Sequence, residues 1–140
     1  MQDVTRSELE SACKSILSEL RDLVAWKWDT RFGTTLAEFH VNDKEKVGAI
    51  LQPYLSAVWN SANIKKAPDS VQTVAKLFGG LRADQVLMSS DPDKGVCLFG
   101  AWWPWGDGQT ISLRITPYDT KLSALDMAEL EGQFKGWFGV

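Results

Sequence analysis

The chain is poor in the residues from which small catalytic and metal centres are built. In 140 residues it has one histidine, His40, and two cysteines, Cys13 and Cys97. One histidine and no paired cysteines exclude the usual zinc spacings, which gather four close His or Cys ligands. Nucleophilic catalysis needs a nucleophile, a base and an orienting group. Nothing in the sequence sets His40 beside either thiol or a particular serine. The two cysteines lie far apart in apolar contexts, so the expectation is two buried thiols in a reducing compartment. No apolar run reaches the ~18 residues of a membrane span, and no charged-then-apolar leader opens the chain. A cytoplasmic protein without a membrane partner is therefore expected.

Basic excess is also missing. The formal net charge is −3 and the pI is near 5.1, which argues against a nucleic-acid partner, since such a protein needs a positive face to displace counterions from phosphates. Gly79-Gly80 and Gly106-Asp107-Gly108 follow neither the Walker nor the dinucleotide pattern, and neither sits between a strand and a helix as those patterns require. Asp91-Pro92-Asp93-Lys94-Gly95 has the alternating oxygens that open a calcium loop. Its third acidic position is lacking, and Trp102 stands where that loop has a bidentate Glu. It reads as a hairpin turn. No cofactor and no metal are expected.

What the chain has in excess is tryptophan, seven against two tyrosines. Large aromatics dominate both cores and binding hot spots, so their number alone does not choose between the two. A chain of this length makes one domain, residues 1–140, and buries roughly 68–70% of its unfolded surface.

Apolar residues Leu9, Cys13, Ile16, Leu17, Leu20, Leu23 and Val24 recur at helical spacing and predict a first helix over residues 5–24, with Thr5 and Glu8 at capping-box spacing. Trp26 and Trp28 alternate with Lys27, and Leu36, Phe39 and Val41 follow the turn formers Asp29-Thr30-Arg31-Phe32-Gly33. One or two strands are expected there. From Asn42 the positions Val47, Ile50, Leu51, Tyr54, Leu55, Val58 and Ala62 keep helical phase through Pro53, which predicts a kinked helix or two abutting ones. Pro68 opens a short helix with Val71, Val74, Ala75 and Phe78 on one face, and Gly79-Gly80 ends it.

A three-strand meander follows: Gln85–Ser89, Val96–Trp103 and Gln109–Thr116. The middle strand is apolar on both faces, as in a covered central strand. The last points Ile111, Leu113 and Ile115 inward and Thr110, Ser112, Arg114 and Thr116 outward. Pro117-Tyr118-Asp119 closes it. A final helix starts at Ser123, with Met127, Leu130, Phe134, Trp137 and Phe138 as its apolar stripe. Gly132 and Gly136 weaken that helix, so firm docking on the sheet is expected to offset them.

The expected fold is α+β: an antiparallel sheet of three to five strands packed against N-terminal, central and C-terminal helices. The order of elements is similar in outline to profilin-like and roadblock-type domains, and more loosely to small acidic secretion chaperones. No motif of those families accompanies it, and a shared layout carries no function.

The candidate contact residues sit at the corner of the last hairpin. Strand alternation sends Trp102 and Trp103 to opposite faces, Pro104 ends a strand, and Trp105 falls in the loop beside Asp107. Arg114 lies on the outward side of the next strand. An exposed aromatic between rigid Pro and Gly neighbours gives large contact area at low ordering cost. The expectation is a non-catalytic module that binds another protein, as an adaptor, an immunity protein or an effector chaperone would. A homodimer through the outward face of Gln109–Thr116 or a sheet edge is a further expectation. The alternatives are a small-molecule or carbohydrate binder with a tryptophan-lined cleft, and an enzyme using carboxylates.

Overall fold

The computed structural model describes residues 2–91, 97–118 and 121–140, with side chains described from residue 7. Helix α1, Gln2–Leu20, buries Leu9, Cys13, Ile16 and Leu20, the four-three-four spacing of one helical face. It starts before Thr5, which therefore lies inside the helix and not at its cap. It also stops sooner than periodicity predicts. The N–H groups of Leu23 and Val24 fold back onto the Leu20 carbonyl at 2.9 and 3.0 Å, and strand β1, Trp26–Asp29, begins directly after. A turn led by Asp29 joins it to β2, Thr34–His40. The Asp29 carboxylate accepts from the Arg31 N–H, and Gly33 takes φ 67°, where only glycine is unstrained.

Beyond β2, Val41–Asp43 makes one 3₁₀ turn, capped by His40 Nδ1 accepting from the Asn42 N–H, and α2 occupies Lys44–Leu51. The expected continuation of that helix through Pro53 does not occur. Pro53 has no N–H for the Ala49 carbonyl, and its ring crowds that group. The N–H groups of Tyr54 and Leu55 close a turn onto the Leu51 carbonyl, and Ala57–Trp59 is a strand, β3. Asn60 and Asn63 lock the following turn: the Asn60 side chain accepts from two backbone N–H groups, and Asn63 donates back to the Val58 carbonyl. Helix α3, Asp69–Leu77, follows with Pro68 at its N-cap. It ends where Gly79 and Gly80 turn to φ 88° and 87°, Gly80 donating to the Ala75 carbonyl.

The meander comprises β4, Val86–Ser89, β5, Cys97–Pro104, and β6, Thr110–Tyr118. The expected turn at Asp91–Gly95 falls, after Asp91, outside the described residues. Strand β6 runs through Pro117 because β2 has already stopped pairing at Ile115, so the missing N–H leaves no ladder bond unmade. Helix α4, Ala124–Phe138, is capped by Ser123 Oγ, which accepts from the Asp126 N–H. It docks through Leu130, Phe134 and Phe138. Gly132 and Gly136 lie on its outer side, where an added Cβ would meet nothing within 4 Å.

All six strands form one antiparallel sheet in the order β1-β2-β6-β5-β4-β3. The α+β class stands; the expected three to five strands become six, the extra one being the edge strand β3 in what reads as a helix. Helices α1, α2 and α4 cover one face around Phe39, Leu98, Leu113 and Ile115. Helix α3 covers only part of the other, packing Val71, Val74 and Ala75 on Leu87, Phe99 and Ala101. Strand β6 is interior to the sheet, so β1 and β3 are its open edges.

Candidate functional site

Strand alternation divides the tryptophans of the β5–β6 hairpin. Trp102 faces α1, α2 and α4, its ring edge-on to Phe39 at 5.2 Å and close over Gly48. It belongs to the main core. Trp103 faces the opposite way, its ring 5.0 Å from Phe78 and 6.1 Å from Phe32, both in edge contact.

At the corner, backbone bonds replace packing. Trp105 N–H donates to the Thr110 carbonyl at 2.8 Å, and Gly108, at φ 69°, donates to the Trp105 carbonyl. The Asp107 carboxylate accepts from the N–H of Gln109, the N–H of Thr110 and the Thr110 hydroxyl at 2.9–3.0 Å. Those two N–H groups, with the Thr110 hydroxyl and nearby His40, hold its pKa below the usual aspartate value. Val41 N–H bonds the Gln109 carbonyl at 2.7 Å, tying the corner to the end of β2. Trp105 is left 45% exposed on this hydrogen-bonded corner.

Arg114 shares its face with Trp103. Registration aligns Lys27, Leu36, Arg114, Ala101, Leu87 and Trp59 in one row across all six strands. From that row Arg114 reaches over β2 to Asp29, Nε to Oδ2 at 2.7 Å, with 15% and 11% of the two side chains exposed. Its guanidinium lies over both the Phe32 ring, at 5.0 Å, and the Trp103 ring, at 5.1 Å. Burial alone would raise the Asp29 carboxyl. Hydrogen bonds from Arg114 and the Arg31 and Phe32 N–H groups, with the Arg114 charge, outweigh it and hold the pKa below normal.

Of the five candidate residues, the structure brings together Trp103 and Arg114, and separately Trp105 and Asp107. Trp102 stands apart, on the other side of the sheet. Asp29, Phe32 and Phe78 are the partners that sequence reasoning missed. Asp29 and Phe32 read only as turn formers, and Asp29 and Arg114 are 85 residues apart. The one groove described, about 720 Å³ beside α1, is lined by Glu10, Lys14, Ser15, Glu19 and Tyr54 among others and by no tryptophan.

Burial, with Glu10 adding, pushes the Cys13 thiol up to about 12, and the two perturbed aspartates are pulled away from the range of a neutral-pH base. Among the described residues, no group of three His, Cys, Asp or Glu side chains could hold a metal ion. No described helix is long and apolar enough to cross a membrane. Compared with protein-family models, curated proteins and solved structures, the chain matches none.

Proposed function

We propose that the protein is a non-catalytic binding module that engages another protein through the tip of its β5–β6 hairpin. The observation that supports this is Trp105: a large, flat apolar side chain, 45% exposed, on a turn tied by five backbone and side-chain hydrogen bonds. Ordering a contact residue in advance lowers the entropy lost on association, and tryptophan is among the residues most enriched in interface hot spots. The acidic balance of the chain favours a partner with a basic surface. Two buried free thiols fit a reducing, cytoplasmic setting.

The test is affinity capture from the native cell with wild type and Trp105→Ala side by side. The reading expects the variant to keep its melting temperature and lose the captured protein. Capture undiminished by Trp105→Ala refutes it. Self-association through an edge is a separate possibility favoured by Val58, 52% exposed on β3; sedimentation at several concentrations, with Val58→Lys as the control, reads it. The cluster of Trp103 and Arg114 favours a second reading, a small-ligand site.

A further inference from the structure

The sheet face not covered by α1, α2 and α4 carries polar atoms without partners. Thr34 is 1% exposed, and its hydroxyl has no hydrogen-bond partner. Trp103 Nε1–H, on the same face, is buried and equally unpartnered. On that face Arg114 lies over the Trp103 ring and pairs with Asp29, the residue opposite Thr34. Its Nε donates to Asp29 at 2.7 Å, which leaves the two Nη nitrogens for another acceptor. Buried polar atoms are nearly always paired, and each exception calls for an explanation. Here both unpaired atoms can donate, and both lie on the face that carries the Arg114 guanidinium.

We infer that this cluster is a binding site for a monocarboxylate carried on an apolar body; the inference rests on the small-ligand reading and is independent of Trp105. Charge selects the ligand. Arg114 and the exposed Arg31 stand against Asp29, and the Glu131 carboxylate lies beside Gly33, so a phosphate dianion would meet more negative charge than a singly charged acid does. Geometry agrees, because a guanidinium fork pairs with the two oxygens of a planar carboxylate. The surroundings select the rest of the molecule. Phe32 and Trp103 lie against the guanidinium and Phe78 packs on both rings, each of the three only partly buried. In the bound state Arg114 keeps Asp29 through Nε and offers Nη to the ligand. Trp103 Nε1–H and the Thr34 hydroxyl complete the donor set.

Two sources share this chemistry, a free apolar acid and the C-terminal carboxylate of a chain ending in an apolar residue. The test follows the indole N–H signals of the ¹⁵N-labelled protein, with Trp103 assigned through Trp103→Phe. The probes are 3-phenylpropionate and the peptide acetyl-Ala-Ala-Ala-Phe, each against its neutral amide. The expected result is a saturable shift of the Trp103 signal with one or both acids and none with the amides. A response to phenylpropionate alone assigns a free acid, and a tighter response to the peptide assigns a chain terminus. Thr34→Val, which removes an unsatisfied hydroxyl and so leaves the fold intact, should weaken binding about tenfold. No saturable shift with either acid, equal shifts with the amides, or unchanged affinity in Thr34→Val overturns the inference. Failure here leaves capture through Trp105 unaffected, so the two readings are told apart.

Discussion

Arg114 Nε lies 2.7 Å from an Asp29 carboxylate oxygen although β2 runs between their strands. Neighbouring strands are about 4.8 Å apart, so the pair bridges two strand spacings and roofs the residues of β2 beneath it. That accounts for Leu36 and Thr34 being 8% and 1% exposed on a face without a helix above them. It also joins the β1–β2 hairpin to the β5–β6 hairpin through side chains as well as through the backbone ladder.

Removing one partner of this part-buried pair is expected to destabilise the fold by roughly 1–3 kcal/mol, between the cost for an exposed pair and that for a buried one. Arg114→Ala and Asp29→Ala should each show it as a lowered urea midpoint. The double variant should cost less than the two single effects combined, because the second substitution no longer strands an unpaired charge. Strict additivity would mean that the pair carries no coupling.

The same pair sets an acid limb of stability. The folded Asp29 carboxyl titrates below its unfolded value, so its contribution is fully present above that unfolded value, about 3.9, and is lost as pH falls through the depressed folded one. Asp29→Asn should flatten the stability curve in that window and leave its slope near neutrality unchanged. Urea midpoints between pH 2.5 and 7 measure it.

Trp102→Ala should be the most costly of the hairpin tryptophan substitutions, by about 3 kcal/mol for an aromatic lost from the core, because it empties the space against Phe39. Trp105→Ala should stay within about 0.5 kcal/mol of wild type, as surface substitutions do. Melting curves of the two variants decide this. A large loss from Trp105→Ala would place that ring in the core.

Gly132→Ala and Gly136→Ala should each stabilise the protein by roughly 0.5–1 kcal/mol, the helix-propensity difference, since an added Cβ meets nothing at either position. Gly100→Ala should do the opposite. Its Cβ would lie 2.8 Å from Leu55 Cδ1, inside a filled core, and overpacking costs about 1–3 kcal/mol. Opposite shifts in melting temperature are the check.

Cys13 and Cys97 should resist alkylation in the folded protein at pH 7–8. Both are buried, and the Cys13 thiol is pushed up to about 12, far from the reactive thiolate. Labelling that appears only in urea, counted by mass spectrometry, is the expected outcome.

Most of the sheet was legible because its signals are local. The alternation of Ile111, Leu113 and Ile115 with Ser112 and Arg114 assigns β6 and its faces, and the same rule separates Trp102 from Trp103. Ser123 and Asp126 mark the start of α4, and Gly79-Gly80 the end of α3. The segment after Pro53 misled because Tyr54, Leu55, Val58 and Ala62 happen to keep helical phase. Turn chemistry wins there, and the Asn60-Ser61-Ala62-Asn63 cluster was the available warning. Two paired aspartate and arginine residues 85 positions apart leave no local trace. The Asp29–Arg114 pair therefore becomes visible only when β1, β2 and β6 are set side by side.

The hairpin that stands out in the sequence for its tryptophans thus has three different environments for them, and Trp105 is the most exposed of the three. The measurement that bears most directly on its role is the dissociation constant of the captured partner for wild type and Trp105→Ala, by calorimetry. A hot-spot residue costs at least 2 kcal/mol on truncation, so the account predicts weakening of roughly 30-fold or more. A change of less than about threefold, with the fold intact, would contradict it.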